Sequence, residues 1–260
     1  MKSKTHSPSA ATRWESRSRD EVYKEKIAFN FDICYKTVVV AIFIFATMQT
    51  QLKQELYDVI SGKSEVRFGT TIQSIASYLA KGSKPSSEIE NSKYFKEEEA
   101  KKLVSYVTEN DLWINDIDLT QYISEGAEQK VYLKNSEHVL KLNDSIYYSC
   151  WKDYFLNLLL HNFFFEDTAY KLLGFTYDNE IFYAVVQQAY VSITGNTDLD
   201  QLKEFLTSNG FQNIRNNDYF NPSLGIILED LHDENVLTRN GLLYFIDTVF
   251  YLTEGFYNSN

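Results

Sequence analysis

Apolar residues first recur at helical spacing at Leu52, Leu56, Val59 and Ile60, with Gly62 placed as a C-cap. The pattern repeats at Ile72, Ile75, Ala76 and Leu79, ahead of Gly82. Residues 82–87 read as a linker, and residues 94–107, rich in Glu and Lys, as a third helix. Residues 48–110 are therefore expected to form a helical extension that packs on the domain after it. Beyond residue 111 the pattern changes. Trp113, Ile114, Ile117 and Leu119 predict a first strand, and residues 126–133 with 138–142 predict a hairpin. Residues 147–165 predict an aromatic helix, and residues 181–187 a buried strand. Residues 191–224 offer at most one helix, Leu199–Ser208, and an Asn-rich loop. Residues 226–247 read strand, polar loop, strand, tight turn, strand, with Asn240-Gly241 as the hairpin turn.

The first 25 residues are polar, rich in Ser and Arg, and read as disordered. Residues 37–47 form an apolar run of eleven, about half of the ~20 residues that span a bilayer. Three readings stay open for 1–47: a leader upstream of a start at Met48, a short signal or anchor segment, or a buried strand. The first is preferred, and 1–47 is expected to pack poorly against the remainder.

A length of 260 residues allows one domain with an extension, or two small lobes. The net charge of -11 argues against a nucleic-acid partner, which calls for a basic face. Cys34 and Cys150 make no disulfide framework and point to a reducing, cytoplasmic setting. The four histidines fall in no zinc-binding spacing. A membrane is not an expected partner.

The chemistry concentrates in 226–247. Asp230 and Asn235 lie five positions apart on the polar loop, and Asp247 follows the last strand. One carboxylate, one amide and a second carboxylate around a common point suit a magnesium–phosphate centre. Asp230 would take the proton of an attacking hydroxyl, while Asn235 and Asp247 would offer hard oxygens to Mg²⁺. The plain alternative is a solvated acidic turn without chemistry.

Asp230-x-x-x-x-Asn235, followed by a hairpin and Asp247, resembles the protein-kinase-like superfamily. The Asp-Leu-His-Asp-Glu-Asn-Val sequence at 230–236 is most similar to the small kinase-like domains of polyvalent proteins in phages and other mobile elements. The resemblance implies an α+β, protein-kinase-like two-lobe fold: a small lobe over 111–190 and a reduced second lobe over 191–260. It implies ATP and Mg²⁺ as cofactors and an unknown protein or small-molecule hydroxyl as acceptor. Lys141 falls where the family keeps the lysine that grips the α/β-phosphates; an edge-strand lysine is the other reading. Gly126 would allow close backbone approach to phosphate. Gln187 and Gln188 fall at the hinge, where main-chain groups meet adenine. Asp153, the acid in the early half of the aromatic helix, is the implied ion-pair partner of Lys141. His161 reads as a satisfied histidine rather than a base.

The chain departs from the family in several places. Residues 124–129 hold one glycine, Leu228 stands two before Asp230 where His is usual, and Thr248-Val249 follows Asp247 without a glycine. Thirteen residues follow Asp247, hence the expectation of a reduced second lobe. Two other classes remain. One is a pseudokinase or non-enzymatic interaction module of a mobile element. The other is a metal phosphohydrolase using His232-Asp233, a pair which that fold would require on a helix.

Overall fold

The computed structural model describes residues 47–81, 92–118, 120–125 and 129–258. The chain divides into two units, Met1–Met48 and Gln49–Asn260. Of the first only Thr47 and Met48 are described, and both are helical. The apolar run at 37–46 thus lies outside the described residues. No helix among those described is long and apolar enough to cross a membrane.

The second unit is α+β. Residues 49–60 form α1, followed by α2 (Gly69–Ala80) and α3 (Ser92–Glu109). Gly62, at φ 75, closes α1 by donating its N–H to Val59 O. In α2 the predicted stripe Ile72, Ile75, Ala76 and Leu79 is buried throughout.

Five antiparallel strands follow: β1 (Tyr122–Glu125), β2 (Gln129–Leu133), β3 (His138–Asn143), β4 (Lys171–Asp178) and β5 (Ile181–Ala189). Their order in the sheet is β1-β2-β3-β5-β4. The helix α4 (Trp151–Phe164) connects β3 to β4. It begins four residues later than the apolar pattern predicts, because the Asn143 and Asp144 side chains cap backbone N–H groups in the turn at 145–146. Residues 113–117 are not a strand. They touch the sheet through one bridge, Trp113 to Phe175, where Gly174 lets the chain pass over β4. A Cβ on Gly174 would meet Leu112 O at 2.3 Å.

The second half differs from the expected loop. After α5 (Leu199–Ser208) come β6 (Gln212–Arg215), β7 (Asp218–Asn221), β8 (Ile226–Glu229), β9 (Val236–Arg239), β10 (Leu242–Phe245), β11 (Val249–Leu252) and the short α6 (Glu254–Tyr257). A four-stranded sheet has the order β11-β8-β7-β6, and β9 and β10 pair alone. Asn240 and Gly241 turn the β9–β10 hairpin with φ of 53 and 76, as a type I′ turn requires.

Helix α4 is apolar around most of its circumference, which marks a helix buried on several sides. Phe155, Leu158 and Leu159 join α2, α3, β4 and β5 in one core. Leu160 joins a second core with Leu202, Leu228, Val236, Phe245 and Phe250. Asn157 Oδ1 accepts from Phe250 N at 2.8 Å, fastening β11 to the helix. The two sheets thus share α4 as a wall, and the residues between them are set by both cores.

Candidate active site

A cavity of about 750 Å³ opens where β2, β3 and the end of β5 face the β8–β9 loop and residues 246–251. This volume falls in the range of small-molecule and cofactor sites, roughly 300–1,000 Å³. Lys141, Gln188, Asp230, Asn235 and Asp247 all line it. Gln187 does not; its side chain accepts from Lys134 Nζ at 2.6 Å. Gly126 lies outside the described residues.

The loop after β8 is built to hold Asp230. Its backbone is left-handed, φ 65, a conformation costly for a non-glycine residue. The strain is offset by local bonds: Asp230 N donates to Asp218 Oδ1 at 3.2 Å, and His232 N to Asp230 O at 3.2 Å. Asn235 Nδ2 donates both to Asp230 O, at 2.9 Å, and to Asp230 Oδ2, at 2.7 Å. Both acceptors are oxygens, so the amide orientation is fixed. Asn235 Oδ1 has no hydrogen-bond donor among the described residues, although the residue is 9% exposed. The backbone of Asn235 also sets Asp247, since Asn235 O accepts from Ile246 N at 2.9 Å and from Asp247 N at 3.4 Å.

His232 was considered in the sequence only as half of a metal-binding pair. It lies in the loop, not on a helix, with Nε2 3.2 Å from Asp230 Oδ1. Its Nδ1 accepts from Glu234 N at 3.3 Å, so in the neutral ring Nε2 carries the hydrogen and donates to Asp230; Asn235 Nδ2, 3.2 Å from the same Nε2, is then a donor facing a donor and spends its two hydrogens on Asp230 O and Oδ2.

Lys141 sits on β3, between β2 and β5, and is 3% exposed. It is not an edge lysine. Its Nζ donates to Ile246 O at 2.8 Å, lies 3.9 Å from Asp247 Oδ2, and stands over the Tyr170 ring. Asp153 is elsewhere. It occupies the first turn of α4, in the electrostatic neighbourhood of Cys150, Glu99 and Tyr257, and does not line the cavity. It is the only acid in α4.

Asp247 receives a short hydrogen bond from Gln129 Nε2 of β2. Its side chain is 27% exposed, yet the carboxyl is deep enough that burial holds it above the ordinary carboxylate range. Lys141 draws it back down, and Asp230 adds to the rise. The backbone on either side of Asp247 is clamped from α4 and the turn after it. Thr168 Oγ1 donates to Phe245 O at 2.5 Å, and Tyr170 OH to Ile246 O at 2.7 Å. His161, fully buried, contacts Thr248 Oγ1 through Nδ1 at 3.0 Å and Thr168 O through Nε2 at 3.1 Å. A carbonyl only accepts, so Nε2 carries the hydrogen and Nδ1 accepts from Thr248. Burial lowers the His161 pKa to about 3, with a smaller push from Lys141, so the ring is neutral. Gln129, Tyr170 and Thr168 carry no sequence signal for the site beyond the alternation of Gln129 with Val131 on the strand opposite Lys141; His232 stands in the 230–236 motif, but its bond to Asp230 is not legible there.

No group of three or more His, Cys, Asp or Glu among the described residues is placed to hold a metal by itself. The donors fit another arrangement. Mg²⁺ commonly takes one or two protein oxygens and completes its shell with phosphate and water. Asn235 and Asp247, which line the same cavity, carry oxygens of the kind such an ion would take.

A family model described as serine/threonine/tyrosine kinase found in polyvalent proteins matches residues 96–254. No curated protein and no solved structure matches the chain. The matched span runs through most of the chain and contains every residue that lines the cavity. The chain therefore belongs to the family of serine/threonine/tyrosine kinases found in polyvalent proteins.

Proposed function

We propose that this protein is an ATP- and Mg²⁺-dependent phosphotransferase acting on a hydroxyl acceptor. The observation that carries this reading is the amide of Asn235. Asp230 ties down its nitrogen and leaves its oxygen without a donor among the described residues, and the residue lines one cavity of cofactor size together with Asp247 and Lys141. Membership of the kinase family supports it. A two-lobe kinase arrangement belongs to the same reading. The β1-β2-β3-β5-β4 sheet with α4 stands for the small lobe, and α5 with the following strands for a reduced second lobe.

In this reaction Asp230 accepts the proton of the acceptor hydroxyl. The hydroxyl oxygen forms a bond to the γ-phosphorus, and the bond from that phosphorus to the β–γ bridging oxygen breaks, releasing ADP. Lys141 meets the phosphates. Asn235 and Asp247 would hold Mg²⁺, which would neutralise phosphate charge when bound. His232 orients the Asp230 carboxylate. A second reading, a nucleotide-binding pseudokinase, is favoured by one observation: Asp153, the single acid of α4, does not line the cavity that Lys141 lines.

Calorimetry with Mg-ATP, paired with an assay of γ-phosphate transfer to water and to protein, tests both. Binding with turnover supports the phosphotransferase. Binding without turnover selects the pseudokinase, and no binding at millimolar nucleotide removes both.

A further inference from the structure

The side chain of Gln188 has two ends with different fates. It lies opposite Val139 in the β3–β5 ladder, on the sheet face that also carries Lys141, and it lines the cavity. The residue is 1% exposed. Its Nε2 donates to Thr168 O at 2.8 Å. That acceptor is a carbonyl oxygen, so the amide cannot be turned over without setting two acceptors against each other. Thr168 is itself held, because its carbonyl also meets His161 Nε2 and its hydroxyl donates to Phe245 O. The amide orientation is therefore fixed from behind. What remains is Gln188 Oε1, which has no hydrogen-bond donor among the described residues. An acceptor left open on a cavity meets water until a ligand supplies a donor.

Resting on the nucleotide reading above, we infer that Gln188 selects the base: its Oε1 accepts from the exocyclic amino group of adenine. A keto oxygen in the same place would face Oε1 acceptor to acceptor. A main-chain carbonyl at the hinge would favour the amino group in the same way, so substitution of Gln188 is what assigns the selection to this side chain. Polar groups that a site is built to pair give strong discrimination when the analogue cannot pair them. Gln188 is thus a specificity residue, and it couples the base to Thr168, the residue that also clamps the strand end before Asp247.

The test is calorimetric titration of the full chain with the Mg²⁺ complexes of ATP, inosine triphosphate and purine riboside triphosphate. The first two differ by an amino against a keto group at one position, and the third carries neither. The wild type is expected to bind ATP roughly ten- to a hundredfold more tightly than the inosine compound, with the unsubstituted purine between them. Gln188→Met keeps the shape, removes the acceptor and leaves Thr168 O paired with His161. In this variant the ATP-to-inosine ratio is expected to fall to within about threefold. Equal binding of ATP and the inosine compound by the wild type overturns the role of Gln188, as does an unchanged ratio in Gln188→Met. Should that variant not fold, Gln188→Leu, which also lacks the acceptor, is titrated in its place with the same expected and overturning ratios. Failure of all three to bind removes the nucleotide reading as well, an outcome distinct from binding without discrimination.

Discussion

Acid should loosen this protein through one histidine. His161 is fully buried, and its pKa falls from 6.5 to about 3 in the fold. The unfolded chain therefore binds a proton below about pH 6.5 that the folded chain refuses until about pH 3. Over that window the unfolded state carries more protons, so stability falls as pH falls. The limiting slope is about 1.36 kcal/mol per pH unit. Between pH 7 and pH 5 the loss works out at about 2 kcal/mol, because the first half unit is only partly titrated. Asp247, Glu99 and Glu229 work in the opposite direction, since burial raises all three above their ordinary values. A bare pH profile therefore mixes signs, and a variant is needed to isolate the ring. His161→Gln keeps a donor for Thr168 O and an acceptor for Thr248 but does not titrate. Urea unfolding of both proteins at pH 7, 6 and 5 measures the difference directly. Wild type should lose about 2 kcal/mol more than the variant between pH 7 and 5. Parallel profiles for the two proteins would refute the reasoning.

Three further outcomes follow from the site and the cores. Asp230→Asn should lower phosphate transfer by about 10²–10⁴-fold while leaving Mg-ATP affinity within about threefold, read by single-turnover assay and calorimetry. Asn235→Ala removes the free Oδ1 and the two bonds to Asp230; nucleotide binding should then need more Mg²⁺ for half-saturation, roughly tenfold, measured by titrating the metal at fixed nucleotide. Phe155→Ala, at a position with no exposure between α2 and the first sheet, should cost about 3–5 kcal/mol in urea unfolding.

The parts legible in the sequence share a local cause. The α2 stripe is legible because its 3.6-residue period places every apolar residue against one core. Helix α5 is legible in the same way, and Asp198 caps it by accepting from Asp200 N and Gln201 N. The relation of Asp230 to Asn235 is legible because a single loop contains both. What escaped depends on long separations or on turns without a signature. The β4–β5 turn uses Asn179 and Glu180, both at positive φ, without the glycine that announces such a turn. Strand β6 is exposed along its length and has no alternation to read. The bond of His161 to Thr248 spans 87 residues, and that of Gln129 to Asp247 spans 118. The surroundings of Asp153 depend on how α4 packs against distant segments, Glu99 and Tyr257 among them, and no local pattern in the helix carries that.

The wiring of the cleft decides which substitutions can separate chemistry from folding. Lys141 and Asp247 face each other at 3.9 Å, with Lys141 3% exposed. Removing one partner of a buried pair leaves an uncompensated charge, an effect of about 3–5 kcal/mol before any ligand is considered. Loss of activity in a Lys141 or Asp247 variant would therefore be shared between a damaged fold and a missing contact. His161, Thr168 and Gln188 carry the same ambiguity, since each is fastened to the backbone beside Asp247 or to a neighbour that is. Asp230 differs. Its side chain is 57% exposed, its strained backbone is held by a bond to Asp218 and one from His232, and its carboxylate is not paired to a buried cation among the described residues. Replacing it by Asn keeps the shape and leaves the backbone acceptor for Asn235 in place. Asp230 is thus the position at which a lost phosphate transfer can be assigned to the reaction itself.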